Sequence, residues 1–172
     1  MSTAYLPSVR DHDESSSPRW HGPPAFLLAQ IGAHAAAQFA ERIASLDLTP
    51  PQAGILRAIA AGAGLSQQEL SKLLSILPSR LVTLIDELEN RSLIERRDDP
   101  DDRRSYALHL TDKGKKTLEA IAQAAMAHNQ AICAGLDEGE RQQLATLLTR
   151  IADQQGLTPG VHPGFRRLGR SR

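Results

Sequence analysis

At 172 residues the chain has room for one domain of ordinary size and a helical appendage. Hydrophobic residues make up 41% and aromatic residues only 3%, so Leu, Ile and Ala must fill any core, which suits helix-on-helix packing. Lys and Arg number 20 and Asp and Glu 20, so bulk charge does not advertise a nucleic-acid partner and any such surface must come from local asymmetry.

Cys133 is the one cysteine, which excludes an internal disulfide framework and any multi-cysteine metal site. No run approaches the roughly 18 apolar residues a membrane span requires. The N-terminus is polar and acidic rather than charged and then apolar, so a cytoplasmic protein with no membrane contact is expected.

Residues 1–24 are rich in Ser, Asp, Pro and Gly without periodicity and read as a flexible arm, with Trp20 a candidate to tuck back onto the body. Residues 25–46 follow as one alanine-rich helix, with Leu27, Leu28, Ile31, Ala35, Phe39, Ile43 and Leu46 near helical spacing. Thr49-Pro50-Pro51-Gln52 is a helix start: Thr49 can accept from free amides, Pro50 sits where no donor is needed, and Gln52 completes a capping box. That second helix stops at Gly62-Ala63-Gly64. Ser66-Gln67-Gln68-Glu69 is another capping box, opening a short helix with Leu70, Leu73 and Leu74 facing inward.

After a turn at Ser75-Ile76, a helix with Pro78 in its first turn carries Leu77, Leu81, Leu84, Ile85 and Leu88 as a narrow core-facing stripe. Ser79, Val82, Thr83, Asp86 and Asn90 fall on its other side. Two short helices joined by a tight turn make a helix-turn-helix. Leu93–Gly114 then reads as two extended runs around a charged tip, with Tyr106, Leu108 and Leu110 on one face and Ser105, Ala107 and His109 on the other. Thr111 caps a long helix to about Leu136, and Asp137-Glu138-Gly139-Glu140 starts a last one with Leu144, Leu147, Leu148 and Ile151 as its stripe.

The expected fold class is mainly α, with a small β-wing: a winged helix-turn-helix plus a helical dimerisation layer. The expected division is an N-terminal arm at 1–24, a dimerisation helix at 25–48, a winged helix-turn-helix lobe at 49–111, dimerisation helices at 112–156 and a basic tail at 157–172. The helices outside the lobe carry apolar stripes without an obvious intrachain home. A symmetric layer formed with a second copy satisfies them better than a monomer with an attached three-helix bundle.

With LTPPQAGIL, LSQQELSKLL, LPSRLVTLIDELENRSLIERR and DPDDRRSYALHLTDKG, the chain resembles the MarR family of bacterial transcription regulators over roughly residues 24–156. The most specific element is the wing, where Asp-x-Arg precedes an alternating strand ending Leu-Thr-x-x-Gly. The resemblance implies that Arg104 enters a minor groove and that Asp102 holds its guanidinium by a bidentate pair. It implies that Pro78, Ser79, Arg80, Val82 and Thr83 turn toward a major groove. Many relatives carry threonine at position 82, arginine at 83 and glycine at 92, where this chain has Val82, Thr83 and Ser92. Val82 offers an apolar patch suited to a thymine methyl, so the operator cannot be copied from a relative.

Arg96, Arg97 and Arg103 are expected to meet phosphates, and the helix starts at Ser66 and Pro78 to offer them backbone amides. A small acidic or aromatic effector is the expected ligand of the crevice between lobe and helical layer, with His34, Phe39, Arg57 and His128 as candidate residues. For these the structural readings, half-buried histidines and a core phenylalanine, weigh more. Cys133 sits in an apolar run without flanking cations, which argues against a redox switch. The six histidines are scattered, so no metal site and no cofactor are expected. The C-terminal Arg166, Arg167, Arg170 and Arg172 read as a solvated tail more than as a binding groove. Double-stranded DNA and a second copy of the chain are the expected partners. The competing class is a winged-helix module for protein contacts, which zero net charge and Asp86-Glu87 favour slightly. An enzyme is not expected, since no phosphate loop, nucleophile–base pair or ligand cluster is present.

Overall fold

The computed structural model describes residues 22–62, 64–98 and 106–162. Among them the order is α1 (Pro24–Ala44), α2 (Pro50–Ala61), α3 (Gln67–Leu74), α4 (Pro78–Asn90), β1 (Ile94–Asp98), β2 (Tyr106–Leu110), α5 (Asp112–Ile132) and α6 (Glu138–Gln154). The arm up to residue 21 with Trp20, the wing tip 99–105 and the tail from 163 lie outside the described residues.

Local capping chemistry fixes most of the helix starts. Thr49 and Gln52 close a capping box on α2, Ser66 and Glu69 one on α3, and Asp137 and Glu140 one on α6. Thr111 caps α5, its hydroxyl accepting from the Gly114 amide at 3.0 Å. Helix α1 ends two residues before Leu46 because Asp47 adopts φ 55°, turning the chain into α2. Arg91 secures this corner by donating to the carbonyls of Leu46 and Asp47. Helix α5 ends at Ile132, short of Leu136, and Cys133–Leu136 form a turn closed by the Leu136 amide on the Cys133 carbonyl.

The core sits in the lobe and is built from Leu and Ile, as the scarcity of aromatics requires. Ile55 and Leu56 of α2, Leu70 of α3, Leu81, Ile85 and Leu88 of α4, and Leu93, Ile94 and Leu108 of the wing are fully buried. From the outer helices only Ile43 of α1 and Ile121 of α5 join them, and no residue of α6 is buried. Leu77 departs from its expected place in the α4 stripe. It is the N-cap residue and stands 50% exposed, while Ile76, one residue earlier, enters the core.

Strands β1 and β2 pair antiparallel in register Ile94↔Leu110 through Asp98↔Tyr106. A hairpin alone is marginal in water. Here β2 is flanked on its second edge by Leu65 and Ser66, through a Leu108 amide to Leu65 carbonyl bond of 2.9 Å and a bridge from Ser66 to Ala107. Beside that added edge Ala107 is buried, while Tyr106 at the start of β2 is exposed.

Ser92 joins α4 to the wing at φ 56°, in the left-handed region that disfavours a Cβ. Ser92→Gly is expected to stabilise the protein by about 1 kcal/mol, read as a higher melting temperature at fixed protein concentration. A lower melting temperature would show that the serine side chain contributes a compensating contact.

Candidate nucleic-acid interface

The turn between α3 and α4 is set by Ser75 in the left-handed conformation at φ 53° and by Ser71, whose buried hydroxyl donates to the Ile76 carbonyl at 2.8 Å. Burial of Leu81, Leu84, Ile85 and Leu88 then rolls α4 so that Pro78, Ser79, Arg80, Val82 and Thr83 all stand exposed. The Thr83 hydroxyl donates back to the Ser79 carbonyl, 3.4 Å away. Leu77 has no side chain able to cap α4, so the first-turn amides remain open to an anion.

The start of α3 differs. The Glu69 carboxylate folds back on the Ser66 amide and hydroxyl, both at 2.8 Å, so that helix end already carries an anion. The expectation that Ser66 offers amides to a phosphate is not supported by this geometry.

The wing arginines separate in the same way. Arg97 is exposed and paired with Glu95, whereas Arg96 is half-buried between Asp86 and Glu89 of α4. Asp102, Arg103 and Arg104 lie outside the described residues. Asp86 and Glu87, which in the sequence favour a protein-contact module, both have partners within the chain. In the structure Asp86 and Glu89 hold Arg96, and Glu87 accepts from the Gln52 side-chain amide at 2.8 Å, joining the far half of α4 to α2. Spacing of Asp86 and Glu89 by three residues on one helix face was the available signal.

The candidate effector residues are not gathered into one site. Phe39 of α1 and His128 of α5 meet with ring centroids 5.5 Å apart at 51°. His34 stands exposed with Gln38, and Arg57 donates to the Gly160 carbonyl, where the chain beyond α6 returns to α2. Val161 packs beside it against the core. Cys133 is half-buried at the end of α5, and its carbonyl accepts from Arg141 Nε at 3.2 Å. Among the described residues no group of three or more His, Cys, Asp or Glu is placed to hold a metal ion, and no helix is long and apolar enough to cross a membrane.

The His128 Nδ1 atom is buried and, among the described residues, has no hydrogen-bond partner. Burial of the ring, and then the charge of Arg42, hold its pKa below the usual histidine value. The unfolded chain, at the ordinary value of about 6.5, therefore takes up its proton first as pH falls. This contribution to stability is fully present above that value and is lost as pH falls from it toward the lower folded value. Melting curves of the wild type and His128→Gln should accordingly converge or cross in favour of the variant between about pH 7.5 and 5.5. Parallel curves would refute the assignment.

A helix-turn-helix with an outward row of small and cationic side chains, followed by an antiparallel wing, defines a winged-helix DNA-binding protein. A sequence profile of the MarR family matches residues 46–105. A protein of Thauera aromatica assigned as transcriptional regulator of the hcr operon is 39% identical over 123 residues, covering 71% of this chain and 74% of that one. The chain belongs to the MarR family and is a DNA-binding transcription regulator. The transcriptional repressor Rv2887 of Mycobacterium tuberculosis is 27% identical over 75% of this chain and 93% of its own. A cysteine-to-serine mutant of MarR from Escherichia coli, complexed with operator DNA, superposes with TM-score 0.64 at 26% identity, over 74% of this chain and 91% of that one.

Proposed function

We propose that the protein is a homodimeric repressor that binds a pseudo-palindromic operator and is released by a small acidic or aromatic effector. The observation that carries the DNA reading is the exposed row Ser79, Arg80, Val82 and Thr83 on the uncapped N-terminal half of α4. Two such helices related by a twofold axis meet successive major grooves when their half-sites are one helical turn apart, ~34 Å. Arg80 then supplies a base or phosphate contact, Val82 an apolar contact to a thymine methyl, and Arg97 and Arg103 hold phosphates. Arg104, with Asp102 orienting it, enters the flanking minor groove.

Dimerisation is supported by apolar side chains that the single chain leaves exposed: Leu28 and Ile31 on α1, Met126 on α5, and Leu144, Leu147, Leu148 and Ile151 on α6. The repressor role is supported by the mycobacterial relative, and DNA binding by the operator complex of the Escherichia coli protein. The effector reading is supported by the Phe39–His128 pair, whose buried Nδ1 atom has no hydrogen-bond partner among the described residues. The acidic residues that favoured a protein-contact module are engaged within the chain, Asp86 with Arg96 and Glu87 with Gln52, which weighs toward DNA.

Arg104→Ala is expected to weaken specific DNA binding by about 10-fold or more, while Glu138→Gln, at the start of α6, changes little. Equal binding of a specific duplex by both variants would remove Arg104 from the interface.

A further inference from the structure

Arg96 sits opposite Leu108 in the strand register, and opposite residues share a face of the sheet. Leu108 is 1% exposed, and on this face Arg96 is directed at α4 rather than outward toward a DNA backbone. The Arg96 side chain, 26% exposed, reaches α4 and donates to Asp86 Oδ1 at 2.6 Å and to Glu89 Oε2. Arg97 takes the other face and, among the described residues, pairs with Glu95 two residues earlier on its own strand.

From this geometry we infer that Arg96 is a positioning residue: it fixes the wing against the recognition helix by bridging Asp86 and Glu89, and does not contact phosphate. The inference rests on the DNA-binding reading above. A guanidinium between two carboxylates presents no net positive charge, so a phosphate gains nothing from it. Partly exposed ion pairs of this kind add little to folding stability. Their effect here is geometric, because α4 and the wing must reach adjacent grooves of one duplex together.

The two roles predict opposite signs for one substitution. Asp86→Asn with Glu89→Gln removes two negative charges beside the DNA. If Arg96 were a phosphate contact, freeing it would tighten binding; if it is a strut, losing its anchors weakens specific binding.

The test uses the full chain and a duplex from upstream of its own gene that the wild type binds, beside a scrambled duplex of equal length, over a range of salt. Arg96→Met is expected to weaken specific binding by roughly 10-fold with an unchanged salt slope. The Asp86→Asn/Glu89→Gln pair is expected to weaken it comparably, and the triple variant to be no weaker than either. The inference is overturned if Arg96→Met lowers the slope by about 0.9 per subunit, or if the paired variant binds as tightly as the wild type or more tightly. Melting curves confirm folding. Should Arg96→Met not fold, the paired variant, altered at more exposed sites, decides alone. Absence of wild-type binding to every upstream duplex would instead count against the DNA reading itself.

Discussion

Gly114→Ala is expected to be the most damaging single-methyl change in the described chain. Gly114 lies in the first turn of α5, buried, where the Leu93 carbonyl approaches so closely that an added Cβ would stand 1.9 Å from its oxygen. That carbonyl cannot withdraw freely. It accepts from the Thr111 amide at 3.2 Å, while the Thr111 hydroxyl donates to the Ser92 carbonyl at 2.7 Å and accepts from Gly114 itself. The obstacle is backbone held at both ends, so the new methyl must push α5 away from the wing. Overpacking of this kind costs roughly 3 kcal/mol or more. At that size the melting temperature should fall by about 10 °C at equal protein concentration. Gly135→Ala, whose added Cβ meets nothing within 4 Å, is the control and should melt near the wild type. A Gly114→Ala protein that melts with the wild type would mean that α5 does not sit on the wing as described.

Leu147→Glu combined with Ile151→Glu is expected to convert the protein to a monomer and to reduce operator binding by at least about 100-fold. Both residues lie on the exposed stripe of α6, four positions apart, at 46% and 41% exposure. Neither supports the core of its own chain, so folding of the lobe should survive. Their burial against a second copy would make two carboxylates there prohibitive without partners. Light scattering after size exclusion reads the mass, and anisotropy on the operator reads the affinity. Loss of the second half-site removes the gain from having two linked contacts, which is where the large factor comes from. A double variant that remains dimeric would place the interface elsewhere.

What could be read from the residues was chiefly local. Thr49, Ser66, Thr111 and Asp137 cap the helices that their flanking sequences announced, because a cap is settled within four residues. The fold class followed from the order of those elements and from the wing motif. The Leu-Thr-x-x-Gly ending of the wing was legible as a family feature, and the structure supplies its cause in the Leu93 carbonyl beside Gly114. Long-range partners were not legible. The stripe through Leu77 followed helical spacing, but the turn at Ser75 substituted Ile76 in the core. Arg57 meets Gly160 across 103 positions, and Arg91 meets Asp47 across 44. Arg96 looked like its neighbour Arg97 because one-residue spacing does not reveal which face of a paired strand is buried.

The most direct test of a sequence-specific DNA-binding dimer is fluorescence anisotropy on duplexes tiling the region upstream of its own gene. Each duplex is measured at two salt concentrations beside a scrambled duplex of equal length. Tight binding to one pseudo-palindromic tile, weakening steeply with salt at about −0.9 per neutralised phosphate and saturating at two chains per duplex, is the predicted result. Weak binding, equal on every tile and on the scrambled duplex, would contradict it.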